Sequence, residues 1–237
     1  MNKSAKPIKL AIFDIDGTIF RSSLLIEVIN PLVKAGIFPS AFQKEYDAWL
    51  NRIGNYEDYI NKLVQMHLRY IKGHSKKEME SVARQMLKSK KYQVYRFSRD
   101  LIAQLRKKGY FLIAISNSPN YVVGPYAKFL KFDAAFGSDY TLHNDVFTGE
   151  VRNLGFLKNK SLHLKKWLKE NPRLRVDLKN SIAVGDTESD IPLLAMVGKP
   201  IAFNPNLLLA RYAQKHGWQI VAERKDVIYD LKKFKFI

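Results

Sequence analysis

Three short apolar runs in this chain each end on a polar cluster. IKLAIF (8–13) leads into DIDGT, YFLIAIS (110–116) into NSP, and SIAVG (181–185) into DTESD. Apolar runs of this length without polar alternation fit strands covered on both faces, the pattern of a parallel sheet. A helical pattern follows each run, so the connections are crossovers and the carboxyl ends of the strands face one crevice. KPIAF (199–203) continues the set, and WQIVA (218–222) is a weaker fifth member. The expected fold class is α/β, a Rossmann-like parallel sheet whose polar clusters, distant in sequence, meet in space.

Between the first two runs lies a long stretch of helical periodicity: SLLIEVINPLVKAG, SAFQKEYDAWLNRIG, YEDYINKLVQMHLRYIKG and SKKEMESVARQMLKSKK. Gly36, Pro39, Gly54, Gly73 and His74-Ser75 punctuate it as turns and caps. It is too long for a crossover. Residues 22–90 are therefore read as an inserted all-helical cap, and residues 1–21 and 91–237 as the α/β core. FSRDLIAQLRKKG (97–109) is the core helix leading into the second strand, and SDYTLHNDVFTGEVRN (138–153) alternates around Asn144-Asp145 and reads as a hairpin or extended pair.

With 46% apolar and 12% aromatic residues among 237, the chain can build a substantial core. It has no cysteine, which excludes a thiol nucleophile, a thiolate metal site and a disulfide framework, and fits a reducing compartment. No stretch nears the roughly 18 apolar residues of a spanning helix, and the basic N-terminus meets Asp14 and Asp16 before it reaches signal-peptide length. The expectation is a soluble, cytoplasmic protein without a membrane partner. A formal charge of +18 attracts anions of any kind, and a generally basic proteome would give the same number. The five histidines show no metal-ligand spacing, and the cap aromatics Tyr46, Trp49, Tyr56, Tyr59 and Tyr70 recur at the spacing of packing residues.

Two carboxylates one residue apart repel each other unless a cation lies between them or one is protonated. In DIDGT, Asp14 at a strand tip can act as a nucleophile. Asp16 can face the same way if the backbone leaves the strand at once, a bend that Gly17 permits. One ionised carboxylate to attack phosphorus and a second group to protonate the leaving oxygen is a workable division of labour. Ser116, with Asn117 and Ser118, precedes Pro119 at the expected first turn of a helix, where hydroxyl and N–H groups would hold phosphate oxygens. Asp186 and Asp190, four residues apart at a helix start, offer hard oxygen ligands for Mg²⁺. Phosphoryl transfer also needs a cation on the equatorial oxygens. Lys160, opening KSLHLKKWLKE, is the candidate, and Lys158 is the second choice.

The order DIDGT, SNSP, lysine, GDTESDIPLL resembles the haloacid dehalogenase superfamily. The helical insertion after the first motif and the tail AFNPNLLLARYAQKHGWQIV (202–221) are similar to its phosphoserine-phosphatase-like branch, so the resemblance runs over nearly the whole chain. It implies that Asp14 forms an aspartyl-phosphate and that Asp16 serves as general acid, then base. It implies that Thr18, Ser116, Asn117 and Lys160 bind the phosphoryl group. Asp14, the backbone carbonyl of Asp16 and Asp186 would hold Mg²⁺, with Asp190 supporting the metal directly or through water. One departure stands out: phosphoserine phosphatases carry a glutamate that recognises the substrate amine about where this chain has Ser22-Ser23, and the nearest acid here is Glu27. The expected function is a Mg²⁺-dependent phosphatase acting on a small phosphorylated metabolite. A phosphotransferase or mutase on the same scaffold is the alternative within enzymes. A nucleic-acid-binding protein or nucleic-acid end-processing phosphatase is compatible with the charge but not favoured, because the lysines are spread along the chain.

Overall fold

The computed structural model describes residues 6–50, 56–152 and 159–232. Gly54, the side chain of Tyr56, Lys158 and residues 233–237 of the basic tail lie outside them. Strand β1 (Leu10–Phe13) is wholly buried and pairs in parallel on both sides, with β2 (Phe111–Pro119) and β6 (Ile182–Gly185). The full sheet runs β3-β2-β1-β6-β7-β8-β9, adding β3 (Ala134–Ser138), β7 (Lys199–Phe203), β8 (Gln219–Arg224) and β9 (Val227–Asp230). All pairings are parallel except β8 with β9. Strands β3 and β9 went unanticipated. AAFGS is short and partly buried, and VIYD is an exposed edge, so neither carries an apolar run bounded by turns.

Side chains alternate across the sheet. Ala11, Phe13, Leu112, Ala114 and Val184 enter one apolar cluster, whereas Leu10, Ile12, Ile113, Ile115 and Ala183 enter another with Leu164 and Trp167. Burial on both faces explains why β1 and β6 read as unbroken apolar runs. The first cluster continues without a break into the helices that intervene before the second strand: α1 (Leu24–Lys34), α2 (Ser40–Leu50), α3 (Tyr56–Ile71) and α4 (Lys76–Lys90). A capping box between Ser75 and Glu78 opens α4. Helix α5 (Arg96–Lys107) returns the chain to β2, and α6 (Asn120–Phe129) follows that strand. Pro119 is the N-cap of α6 rather than part of its first turn. Helices α7 (Ser161–Glu170), α8 (Ile191–Leu194) and α9 (Leu207–Lys215) complete the set used below.

Strands β4 (Tyr140–His143) and β5 (Val146–Val151) form an antiparallel hairpin. Its turn residues Asn144 and Asp145 both have positive φ, 48° and 62°, the twist a two-residue hairpin turn requires. The hairpin docks on the turn between α3 and α4: the Gly73 N–H donates to the Phe147 carbonyl, and the Phe147 N–H donates to the His74 carbonyl, each at 2.9 Å. No helix among the described residues is long and apolar enough to cross a membrane.

Candidate active site

The tips of β1, β2 and β6 bring the three polar clusters together. The carboxylate of Asp14, just past β1, is 1% exposed. Lys160, the N-cap residue of α7 and itself buried, donates to Asp14 Oδ1 at 2.6 Å and to Asp190 Oδ1 at 2.7 Å. The neighbouring Lys165 and Lys166 are exposed, so burial distinguishes Lys160 from them. The hydroxyl of Thr18 lies 3.2 Å from both Asp14 Oδ2 and Asp186 Oδ1, and its single proton serves one of them at a time. Ligand oxygens of Asp14, Asp186 and Asp190 lie within 4.8 Å of one another.

Two glycines permit this crowding. Gly17 has φ +80°, and a Cβ there would sit 2.1 Å from Asp186 Oδ2. A Cβ on Gly185 would sit 2.6 Å from Asp190. Asp190 is fully buried and saturated: Oδ1 takes Lys160, while Oδ2 accepts the backbone N–H groups of Asp186 and Thr187 at 3.0 and 3.1 Å. It thereby shapes the loop that carries Asp186.

Asp16 faces the inserted helices. Its Oδ1 accepts the Leu24 N–H at 2.6 Å, at the positive end of α1, and its Oδ2 accepts the Ser116 hydroxyl. Ser116 Oγ in turn accepts the Ser118 N–H at 2.9 Å, so it belongs to the site and is no helix cap. Ser118 Oγ accepts the Leu25 N–H at 3.1 Å. The first two N–H groups of α1 are thus satisfied from the strand tips, and Ser23 at its N-cap makes no side-chain cap bond. Asn117 lies between these serines, its carbonyl accepting the Ser138 hydroxyl.

The electrostatics follow from the crowding. Burial is the largest influence on Asp14. Together with the charges of Asp190 and Asp16 it outweighs Lys160 and raises the carboxyl from 3.8 to about 7. Asp186 is pushed well above the ordinary carboxylate range by burial first, then by Asp14 and Asp190. Burial works against the Lys160 ammonium, but Asp14 and Asp190 prevail and hold it charged. Three close carboxylates with one ammonium leave an excess of negative charge. Their hard oxygens suit a divalent cation of the magnesium type, which makes the donor set a fit for one. No histidine belongs to the cluster.

Two participants had no local signal. Ser98 in α5 is buried and donates to the Thr18 carbonyl at 2.6 Å. Glu223 in β8 is buried and takes donors from both connections to the inserted helices.

Sheet and cluster define a class first: a doubly wound α/β protein with an acid-rich site at the strand tips. The profile of the haloacid dehalogenase-like hydrolases matches residues 11–195, and the chain belongs to that family. It is 25% identical over 223 residues to a histidinol-phosphatase of Neisseria meningitidis, covering 90% of this chain and 97% of that protein. It is 23% identical to the phosphoserine phosphatase of Methanocaldococcus jannaschii over 97% of this chain and 99% of that one. The phosphoserine phosphatase of Lactococcus lactis is 35% identical over 44% of this chain and 47% of its own length. Among solved structures, a Bordetella pertussis protein of unknown function superposes with a TM-score of 0.74 at 20% identity, over 91% of this chain and 98% of that one. A phospho-aspartyl intermediate analogue of phosphoserine phosphatase superposes with a TM-score of 0.59 at 23% identity, over 93% and 96%. Within the family the chain is a phosphatase of the branch that these relatives represent.

Proposed function

We propose that this phosphatase hydrolyses a small phosphate monoester through an aspartyl-phosphate on Asp14. One observation carries the reading: a single buried carboxylate is gripped by Lys160 and Thr18, while a second, Asp16, stands beside it on Ser116. An Asp14 oxygen forms a bond to phosphorus as the ester P–O bond breaks, and Asp16 gives its proton to the departing oxygen. Water then attacks phosphorus, Asp16 takes the water proton, and the bond to Asp14 breaks to release phosphate. Thr18, Ser116, Asn117 and Lys160 hold the phosphoryl oxygens. A magnesium ion held by Asp14 and Asp186, with the Asp16 carbonyl, would neutralise charge on the phosphoryl group. Asp190 supports it through Lys160 and the 186–187 backbone. Residues 22–90 act as the cap. With Asp14, Thr18 and Ser116 all buried, the substrate enters when these helices move and reacts when they close.

The test is release of phosphate from p-nitrophenyl phosphate with Mg²⁺ or EDTA. Activity should require the metal and vanish in Asp14→Asn. Undiminished turnover in that variant removes Asp14 as nucleophile.

A further inference from the structure

The two segments that join the inserted helices to the sheet run side by side. The Arg21 N–H donates to the Gln93 carbonyl and the Tyr95 N–H to the Ile19 carbonyl, each at 2.9 Å, and Phe20 bridges Val94 in antiparallel fashion. One carboxylate from far along the chain closes this ribbon. The Glu223 side chain is fully buried. Its Oε1 takes the Arg21 guanidinium at 2.5 Å and the Arg96 N–H at 3.2 Å, and its Oε2 takes the Phe97 N–H at 2.9 Å. Arg21 also donates from Nε to the Val94 carbonyl at 3.0 Å and lies 4.7 Å over the Tyr95 ring.

The arrangement is unusual for a helix start. Tyr95, the N-cap residue of α5, gives no side-chain cap bond, although a local Ser, Thr, Asp or Asn would satisfy those N–H groups. The acceptor comes instead from a strand 126 residues away and serves the entering segment at the same time. The clamp also reaches the catalytic loops. The Glu223 N–H donates to Asn204 Oδ1 at 2.7 Å, and two residues on, the Asn206 N–H donates to the Asp186 carbonyl at 2.9 Å. On the other side, Ser98 in the first turn of α5 holds the Thr18 carbonyl.

We propose that Glu223 is a positioning residue: by pinning both connecting segments to β8, it sets the closed pose of residues 22–90 over Asp14 and Asp16. The proposal rests on the phosphatase reading for its kinetic consequence, and on hydrogen bonds alone for its mechanical one. Glu223→Gln keeps one acceptor oxygen, which can serve the Phe97 N–H or the Arg96 N–H but not both, and loses the ion pair. Glu223→Ala loses everything. Kinetics are compared for a small alkyl ester, glycerol phosphate, and a bulky aryl ester, naphthyl phosphate, well below each variant's melting temperature. Amide exchange is followed at 18–23 and 93–97.

Glu223→Ala should lower kcat/KM for the small ester by about ten- to a hundredfold, as misplacement of a catalytic arrangement does. It should lose less on the bulky ester, which an open cap admits, and should exchange faster in both segments. Glu223→Gln and Arg21→Met should fall between, and they carry the test if Glu223→Ala does not fold. A lower melting temperature with an unchanged ratio of the two esters and unchanged exchange would overturn the proposal and leave Glu223 a structural cap. A wild-type protein that hydrolyses neither ester would remove the phosphatase reading, and the exchange data would still decide the clamp.

Discussion

Replacing Lys160 by Met removes the one ammonium placed between Asp14 and Asp190 while keeping most of the buried side-chain volume. Its Nζ lies 2.6 and 2.7 Å from the two carboxylates and its side chain is 5% exposed, so neither carboxylate can turn to water instead. Breaking a buried pair from one side costs about 3–5 kcal/mol, because an uncompensated charge stays behind. For a chain of 237 residues that corresponds to a fall in Tm of about 10 °C.

The pH dependence is the sharper part. In the metal-free protein Asp14 has its folded pKa raised from 3.8 to about 7, so the folded state binds this proton more tightly than the unfolded chain does. Stability linked to Asp14 is therefore complete below about pH 4 and is lost as pH rises through about 7, by up to about 4 kcal/mol. Without Lys160 the Asp14 carboxyl rises further, so the Lys160→Met deficit should be smaller at pH 5, where Asp14 is protonated and the lost contact to Asp190 remains, than at pH 8. Urea unfolding of both proteins in EDTA at the two pH values measures this. An equal deficit at pH 5 and pH 8 would refute the argument, since lost packing has no reason to titrate.

Mg²⁺ should stabilise the wild type by about 2.7 kcal/mol at a hundred times Kd and so raise its Tm in a melting assay. The gain should shrink in Asp186→Asn, and an equal gain in both proteins would place the ion elsewhere. Gly17→Ala should cost about 1–2 kcal/mol from its left-handed backbone, and more as its Cβ displaces Asp186, with at least tenfold loss of kcat/KM; wild-type kinetics would show that the loop relaxes freely. Glu27, the acid nearest Ser22-Ser23, is paired with Lys90 at 3.0 Å, so a substrate ammonium would have to compete with that lysine for it. Phosphoserine should accordingly be hydrolysed no faster than its des-amino analogue, and a tenfold preference for phosphoserine would contradict this use of Glu27.

Chemistry and positioning were unequally legible in the sequence, for a physical reason. Asp14, Asp16, Thr18, Ser116, Asp186 and Asp190 stand at the ends of strands buried on both faces. Such strands read as apolar runs that stop abruptly, and the stops mark the crevice. The helices of the insertion were legible from their 3.6-residue period, because each buries one face. Strands β3 and β9 lack any such contrast. Lys160 could be ranked among its neighbours but not chosen by pattern, since only burial against Asp14 and Asp190 separates it from Lys165 and Lys166. Glu223 and Ser98 were silent for a different reason. Their partners are the Phe97 N–H, 126 residues from Glu223, and the Thr18 carbonyl, 80 residues from Ser98, and a bond to a backbone group demands no particular residue type in return. A nucleophile or metal ligand needs a specific side chain at a specific turn and so leaves a motif. Holding a segment in place needs only a donor and an acceptor brought together by the fold, which is why the residues that set the pose of the insertion emerge from three-dimensional structure alone.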